Sequence, residues 1–268
     1  MTTDILASTD NPRAAAERID SDGFVLLPEL CGAGFLQQLT DVSRQRIREV
    51  TAVLGDRDIG IGSAAGYDEI VQRSPGRWDL PITPEQFGTD VKALPWWPVV
   101  AAVLGEDAEH MFSGVVYSEP GSPAQHWHID SPHEEPQHRG AHALNALVPL
   151  HDIPLEMGPT EIARGSHTLT NHLRITELDH DELVYQHSGT SPERLAEAAE
   201  TEAPEAWVSP LKAGSCLLFD DRALHRGLGN RSERARYVAY FSYRMKGYVE
   251  TTHFEAQRSV FEEGPESR

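Results

Sequence analysis

Two cysteines, Cys31 and Cys216, are all that this 268-residue chain contains, too few for the disulfide framework of a small secreted fold. No apolar run approaches the roughly 20 residues a membrane span needs. Basic residues are scarce too: 23 Lys and Arg stand against 42 Asp and Glu, a formal charge of −19. Such a surface repels phosphate backbones and anionic lipid, so neither nucleic acid nor membrane is an expected partner, and a small-molecule substrate is. Residues 1–10 carry no basic start and no apolar core, so nothing marks the chain for export, and a reducing cytoplasm is the expected compartment. Internal repeats and a Gly-rich phosphate loop are also missing.

What is present suffices for one domain over residues 1–268, since 39% hydrophobic content at this length can bury a sizeable core. Residues about 11–20 and 32–53 read as helices, the second with Phe35, Leu36, Leu39, Val42, Ile47 and Val50 near helical spacing. Gly23-Phe24-Val25-Leu26-Leu27-Pro28 between them reads as a short strand. Residues 55–95, rich in Gly, Asp and Pro, read as irregular, and Pro98–Leu104 as a short helix. Strands and turns then alternate over Phe112–His128, Ala141–Leu150 and Pro159–Ala163. Many short strands without regular intervening helices favour a mainly β fold with flanking helices, a double-stranded β-helix (jelly roll) with its core at about 112–245. Residues 170–206 interrupt the pattern with an inserted helix at Ser191–Glu200, marked by Pro192 in its first turn. This stretch and residues 55–95 are expected to cover a pocket mouth as lids, with Arg77 reaching in from the first. The acidic tail after about Ser259 is expected to fray.

The chemistry concentrates in two distant segments. In Gln125-His126-Trp127-His128-Ile129-Asp130 a strand would send His128 and Asp130 to one side and Ile129 to the other. Lys212–Asp220 reads as a turn and a short apolar strand that delivers His225, in Leu224-His225-Arg226-Gly227, at its far end. Two imidazoles and a carboxylate on one face of an octahedral metal leave the opposite face open, the arrangement of non-haem Fe(II) oxygenases. A hydrolytic zinc site uses the same donors and is the competing reading. Eleven residues beyond His225 stands Arg236, whose guanidinium can clamp a carboxylate with two parallel hydrogen bonds; it has no evident job in simple hydrolysis.

In these segments, and in Met157-Gly158-Pro159-Thr160 and Arg164-Gly165-Ser166-His167, the chain resembles the phytanoyl-CoA hydroxylase-like Fe(II)/2-oxoglutarate dioxygenases, from about Asp22 to Arg244. Arg164 departs from that family's usual proline. The resemblance implies Fe(II) held by His128, Asp130 and His225, 2-oxoglutarate chelating the iron with its far carboxylate on Arg236, and O2 as the oxidant. Decarboxylation to succinate and CO2 would be coupled to oxidation of a substrate C–H bond, most often hydroxylation, with desaturation, epoxidation and ring formation also open. Related halogenases replace the carboxylate ligand with a small residue, so an intact Asp130 argues for oxygen insertion.

Further candidates are less constrained. The Thr160 hydroxyl can bond 2-oxoglutarate, as in some relatives, or its own backbone. Gln125 and Asn145, polar within apolar strands, either line the cosubstrate site or serve ordinary fold bonding. Arg234 competes with Arg236 for the clamp. Arg77, Trp78, His126, Trp127 and His133 are candidate substrate contacts, whereas Trp96-Trp97 reads as packing. A small specialised metabolite is the expected substrate class, with a free amino acid or similar polar solute as the alternative. A non-catalytic jelly roll that captures metal or ligand is the reading from a different class.

Overall fold

In the computed structural model, residues 5–131, 137–169, 193, 202, 204–249 and 258–262 are described. The chain runs through α1 (Pro12–Asp22), β1 (Phe24–Leu27), α2 (Ala33–Leu54), β2 (Val71–Ser74), β3 (Arg77–Pro81), α3 (Pro84–Phe87), α4 (Trp97–Leu104), β4 (Glu109–Ser118), β5 (Ala143–Pro149), β6 (Thr160–Ala163), β7 (Ala206–Trp207), β8 (Cys216–Asp220), β9 (His225–Gly227) and β10 (Arg236–Arg244). Local signals set the helix ends. Asn11 accepts a hydrogen bond from the Ala14 N–H, Pro12 opens α1, and Gly23 closes it in the left-handed conformation at φ 85°.

The strands form a seven-stranded antiparallel sheet, ordered β1-β8-β5-β10-β4-β3-β2, and a three-stranded one, ordered β7-β6-β9. Alternation gives the large sheet two faces. One buries Leu80, Val115, Ala146, Leu218 and Phe241 against helix residues such as Ile19, Leu39, Val50 and Val99. The other meets the small sheet through Phe24, Leu26, Leu217, Phe219 and Val238, packed with Ile153, Met157, Ile162 and Leu211. This is the expected jelly roll. Trp96 packs in the helix-side core 5.1 Å from the Phe241 ring, its Nε1–H on the Tyr243 hydroxyl at 2.9 Å.

Three expectations need correction. Residues 55–95 do not form an irregular cover: they supply β2 and β3, which extend the large sheet beyond β4, with Arg77 opposite Ser118. Most of the Gly, Asp and Pro residues of that stretch lie before β2 or after β3, with Pro75 and Gly76 in the turn between them and Asp79 and Pro81 within β3, and together they hide a period-two pattern. The strand expected to carry His128 and Asp130 does not form: β4 ends at Ser118, and His128 pairs only through a single bridge to His225. Nor does the tail fray at once, because Val260 is fully buried and its N–H bonds Glu69. His133, the helix at 191–200 and nearly all of the stretch 170–206 lie outside the described residues.

Candidate active site

The bridge between His128 and His225 joins the two motif segments. His128 N–H donates to the His225 carbonyl at 3.0 Å and the reverse bond is 2.9 Å, which places the rings 4.3 Å apart. Each imidazole is then aimed by a backbone carbonyl two residues earlier: His128 Nδ1 meets the His126 oxygen at 3.0 Å, and His225 Nδ1 meets the Ala223 oxygen at 2.9 Å. A carbonyl only accepts, so Nδ1 carries the hydrogen in both rings and Nε2 presents a lone pair. The two Nε2 atoms face the Asp130 carboxylate, at 3.9 Å from His128 to Oδ1 and 3.6 Å from His225 to Oδ2. All three ligand atoms lie within 4.8 Å of one another, close enough to share one ion. Burial, and secondarily the neighbouring His225, push the His128 pKa down to about 4, so its ring is neutral and ready to ligate at physiological pH.

Asp130 is held from both ends. Its N–H donates to the Asp221 carbonyl at 2.8 Å. Its Oδ2 accepts from Asn145 Nδ2 at 2.7 Å, and the Asn145 oxygen accepts in turn from the Ser242 hydroxyl. Asn145 and Ser242 are register partners on β5 and β10, so the carboxylate is fixed to the middle of the large sheet. Ile129 points the other way, into a small outer cluster with Ala163 and Leu224.

Farther along the same sheet face is a pair of buried arginines. Arg236 Nη2 and Arg77 Nε both donate to the Ser118 hydroxyl, at 2.9 and 3.0 Å, and both guanidiniums reach the Leu228 carbonyl, at 3.4 and 2.9 Å. Arg77 is 1% exposed and Arg236 4%, and neither meets a carboxylate among the described residues. Arg236 Nε is buried without any partner. Desolvation lowers Arg236 to about 10, and desolvation together with the Arg236 charge lowers Arg77 to about 9. Both stay charged at neutral pH. Arg234, the competitor for the clamp, is exposed and precedes the strand.

The other candidates divide between two locations. Gln125 reaches the arginine pair: its Oε1 accepts from Gly227 N–H at 3.0 Å, and a Cβ built on Gly227 would lie 2.8 Å from that oxygen and 3.2 Å from both Arg236 Nη2 and Arg77 Cζ. Thr160 pairs with Gly227 in register and shares the inward parity of Ile162. Asn145 serves Asp130. Trp78 faces away from the site: adjacent to Arg77 on β3, it points into the helix-side core and stacks 6.4 Å from Tyr117. Trp127 lies on the outer surface under Arg226, which sits 4.5 Å over its ring and pairs with Glu161 at 2.7 Å. His126 is exposed and contributes its carbonyl. Ser118, Gly227 and Ser242 had no sequence signal of their own, although Gly227 ends the His-Arg-Gly motif.

The family model described as phytanoyl-CoA dioxygenase (PhyH) matches residues 19–238. The chain belongs to the PhyH family. Its members are Fe(II)/2-oxoglutarate-dependent oxygenases that use O2, and this chain is accordingly an enzyme of that class. Solved structures share its fold at low identity. AviO1 from Streptomyces viridochromogenes Tue57 is 17% identical at TM-score 0.60, over 88% of this chain and 96% of its own. EctD from S. alaskensis with 2-oxoglutarate and 5-hydroxyectoine is 20% identical at TM-score 0.63, over 91% and 79%. The epimerase SnoN with Fe3+, alpha ketoglutarate and nogalamycin RO is 19% identical at TM-score 0.59, over 93% and 94%. The residues present suit these groups: two imidazoles and a carboxylate for iron, and the unpartnered buried Arg236 Nε for a carboxylate. Among the described residues no helix is long and apolar enough to cross a membrane.

Proposed function

We propose that this protein oxidises a C–H bond of a small specialised metabolite, most simply by hydroxylation, with His128, Asp130 and His225 as the ligands of Fe(II) and Arg236 as the clamp for 2-oxoglutarate. The observation that carries the reading is the pairing of three convergent ligand atoms with a buried guanidinium on the same sheet face whose Nε lacks a partner. Bound iron supplies the activation of O2 and the oxidation of the 2-oxo acid, which side chains alone do not.

The chain's own residues orient and exclude. Asn145 and Ser242 fix the angle of the Asp130 carboxylate, and the His126 and Ala223 carbonyls fix the tautomers of the ligand imidazoles. Val238 and half-buried Leu147, on the face between the triad and the arginines, keep water away from the cosubstrate chain. Arg236 neutralises its far carboxylate while Thr160 and Gln125 flank it. Asp130 fills the position that a halide would need, which favours oxygen chemistry over halogenation.

SnoN and EctD, whose structures carry nogalamycin RO and 5-hydroxyectoine, support small-molecule chemistry of two kinds: an elaborated metabolite and a compact polar solute. We favour the first and keep the second as the other arm of the test. Iron-loaded protein is incubated with 2-oxoglutarate in air against both compound sets, and succinate is quantified. Accelerated succinate formation with a set member, and a product gaining 16 mass units, identifies the substrate class. No succinate in any condition would remove the catalytic reading and leave a metal- or ligand-capturing jelly roll.

A further inference from the structure

We propose that Arg77 is a second anion-binding arm, so that the far carboxylate of the cosubstrate is gripped between two guanidiniums and can bind before the metal does. The proposal rests on the functional reading above and deepens it. Two buried like charges side by side repel, and each costs solvation; structures tolerate this where an anion completes the set. Among the described residues the protein supplies only neutral acceptors here, the Ser118 hydroxyl, the Ser74 hydroxyl at 3.3 Å and the Leu228 carbonyl. Ser118 accepts from both guanidiniums, so its own hydrogen remains available to a third partner. Arg236 keeps a free Nε.

The corner where the two guanidiniums meet closes directly on residue 227, where a methyl group would press on Gln125, Arg236 and Arg77 together. The backbone at Gly227 is ordinary β9, without a positive φ, so the close approach of these side chains is what requires a glycine there. Arg77 reaches the corner because β3 presents it on the inner face, in register with Ser118 and thence with Arg236. It is therefore placed to touch the ligand itself, whereas a surface lid would bring it in only on closure.

The test uses full-length protein stripped of metal with EDTA and titrated calorimetrically with glutarate, which has both carboxylates of 2-oxoglutarate but no 2-oxo group to chelate iron. Pyruvate, a 2-oxo acid without a far carboxylate, is the control. The metal-free wild type should bind glutarate and not pyruvate. Arg77→Gln should weaken glutarate about tenfold or more, the loss expected for a charge-assisted bond, and Arg77→Lys should recover part of it. Gly227→Ala is the second variant, independent of any stability loss in Arg77→Gln; it keeps both arginines, pushes their guanidiniums and Gln125 out of place and should weaken glutarate comparably.

Wild-type affinity retained in both Arg77→Gln and Gly227→Ala would overturn the second arm. So would failure of metal-free wild type to bind glutarate, even if iron-loaded protein converts 2-oxoglutarate, in which case the functional reading survives alone. Glutarate binding that depends on Arg77, with no succinate formed by iron-loaded protein, would leave the anion site standing and remove that reading.

Discussion

The two polar ends of this sheet face are built on opposite terms. At the triad every group has a protein partner: both Nδ1 atoms meet carbonyls and the Asp130 carboxylate is tied through Asn145 to Ser242. At the arginine pair the charges meet only neutral acceptors, and one nitrogen meets nothing. The first end is complete in its orientation. The second is incomplete in charge, which is what the proposed anion would supply. Substitutions at the two ends should accordingly fail differently, the first in metal content and the second in cosubstrate demand.

The largest effect is expected at the ligands. His128→Ala, Asp130→Ala and His225→Ala each remove one of three donors and should take coupled turnover to background while the fold persists, since the three side chains converge on one another and His225 touches the apolar packing through the Phe219 ring at 4.7 Å. Iron content by elemental analysis, beside circular dichroism, checks this. Retained iron and activity in all three would dissolve the contrast between the ends.

Next comes the clamp. Arg236→Leu should raise the KM for 2-oxoglutarate about tenfold to a hundredfold, from the roughly 1.5–3 kcal/mol of a hydrogen bond to a charged group, with iron content unchanged. Arg234→Leu, at an exposed position before the strand, should leave that KM near wild type. A larger effect at Arg234 would move the clamp and erase the second end as drawn.

How much of this could be read from the chain follows the same division. His-x-Asp is a local signal, because spacing by two on an extended segment carries both groups to one side, and His128, Asp130 and Ile129 fall as that parity requires. Asn145 also announced itself, as a polar residue in an apolar strand, and the partner it meets is the Asp130 carboxylate. β3 was missed for a physical reason. In Arg77-Trp78-Asp79-Leu80 the alternation is present, but the apolar members face the helices and the polar ones face the site, the reverse of a strand whose inner face is plain core. Flanking Gly76 and Pro81 then made a short polar-lined strand look like loop. Trp127 misled in the opposite direction, since a tryptophan beside a ligand invites a pocket role and here it packs under Arg226 on the outer surface. Ser118 is an unremarkable serine until register places it between two arginines.

The support around Asp130 offers a finer test. Asn145→Ala should reduce iron affinity or turnover by about tenfold, as losses of partners to metal ligands do, because it frees the carboxylate to rotate. Ser242→Ala acts one bond further out and should cost only a few-fold, on the order of the 1 kcal/mol of one neutral hydrogen bond. Metal titration of the two variants ranks them. Equal and negligible effects would mean that the Asp221 backbone contact alone holds Asp130.

The smallest effect belongs to His126. Its imidazole stands on the same sequence parity as His128 and Asp130, which made it a candidate for the pocket, yet the side chain is exposed and the group used is its carbonyl, which accepts from His128 Nδ1 at 3.0 Å. A backbone oxygen survives any side-chain truncation. His126→Ala should therefore leave iron affinity and the KM for 2-oxoglutarate within about twofold of wild type, in the range of a surface substitution. An identified substrate makes the measurement sharper: an unchanged substrate KM confines His126 to its carbonyl role, whereas a rise of tenfold with iron affinity intact would show the imidazole reaching substrate and would extend the site beyond the two ends compared above.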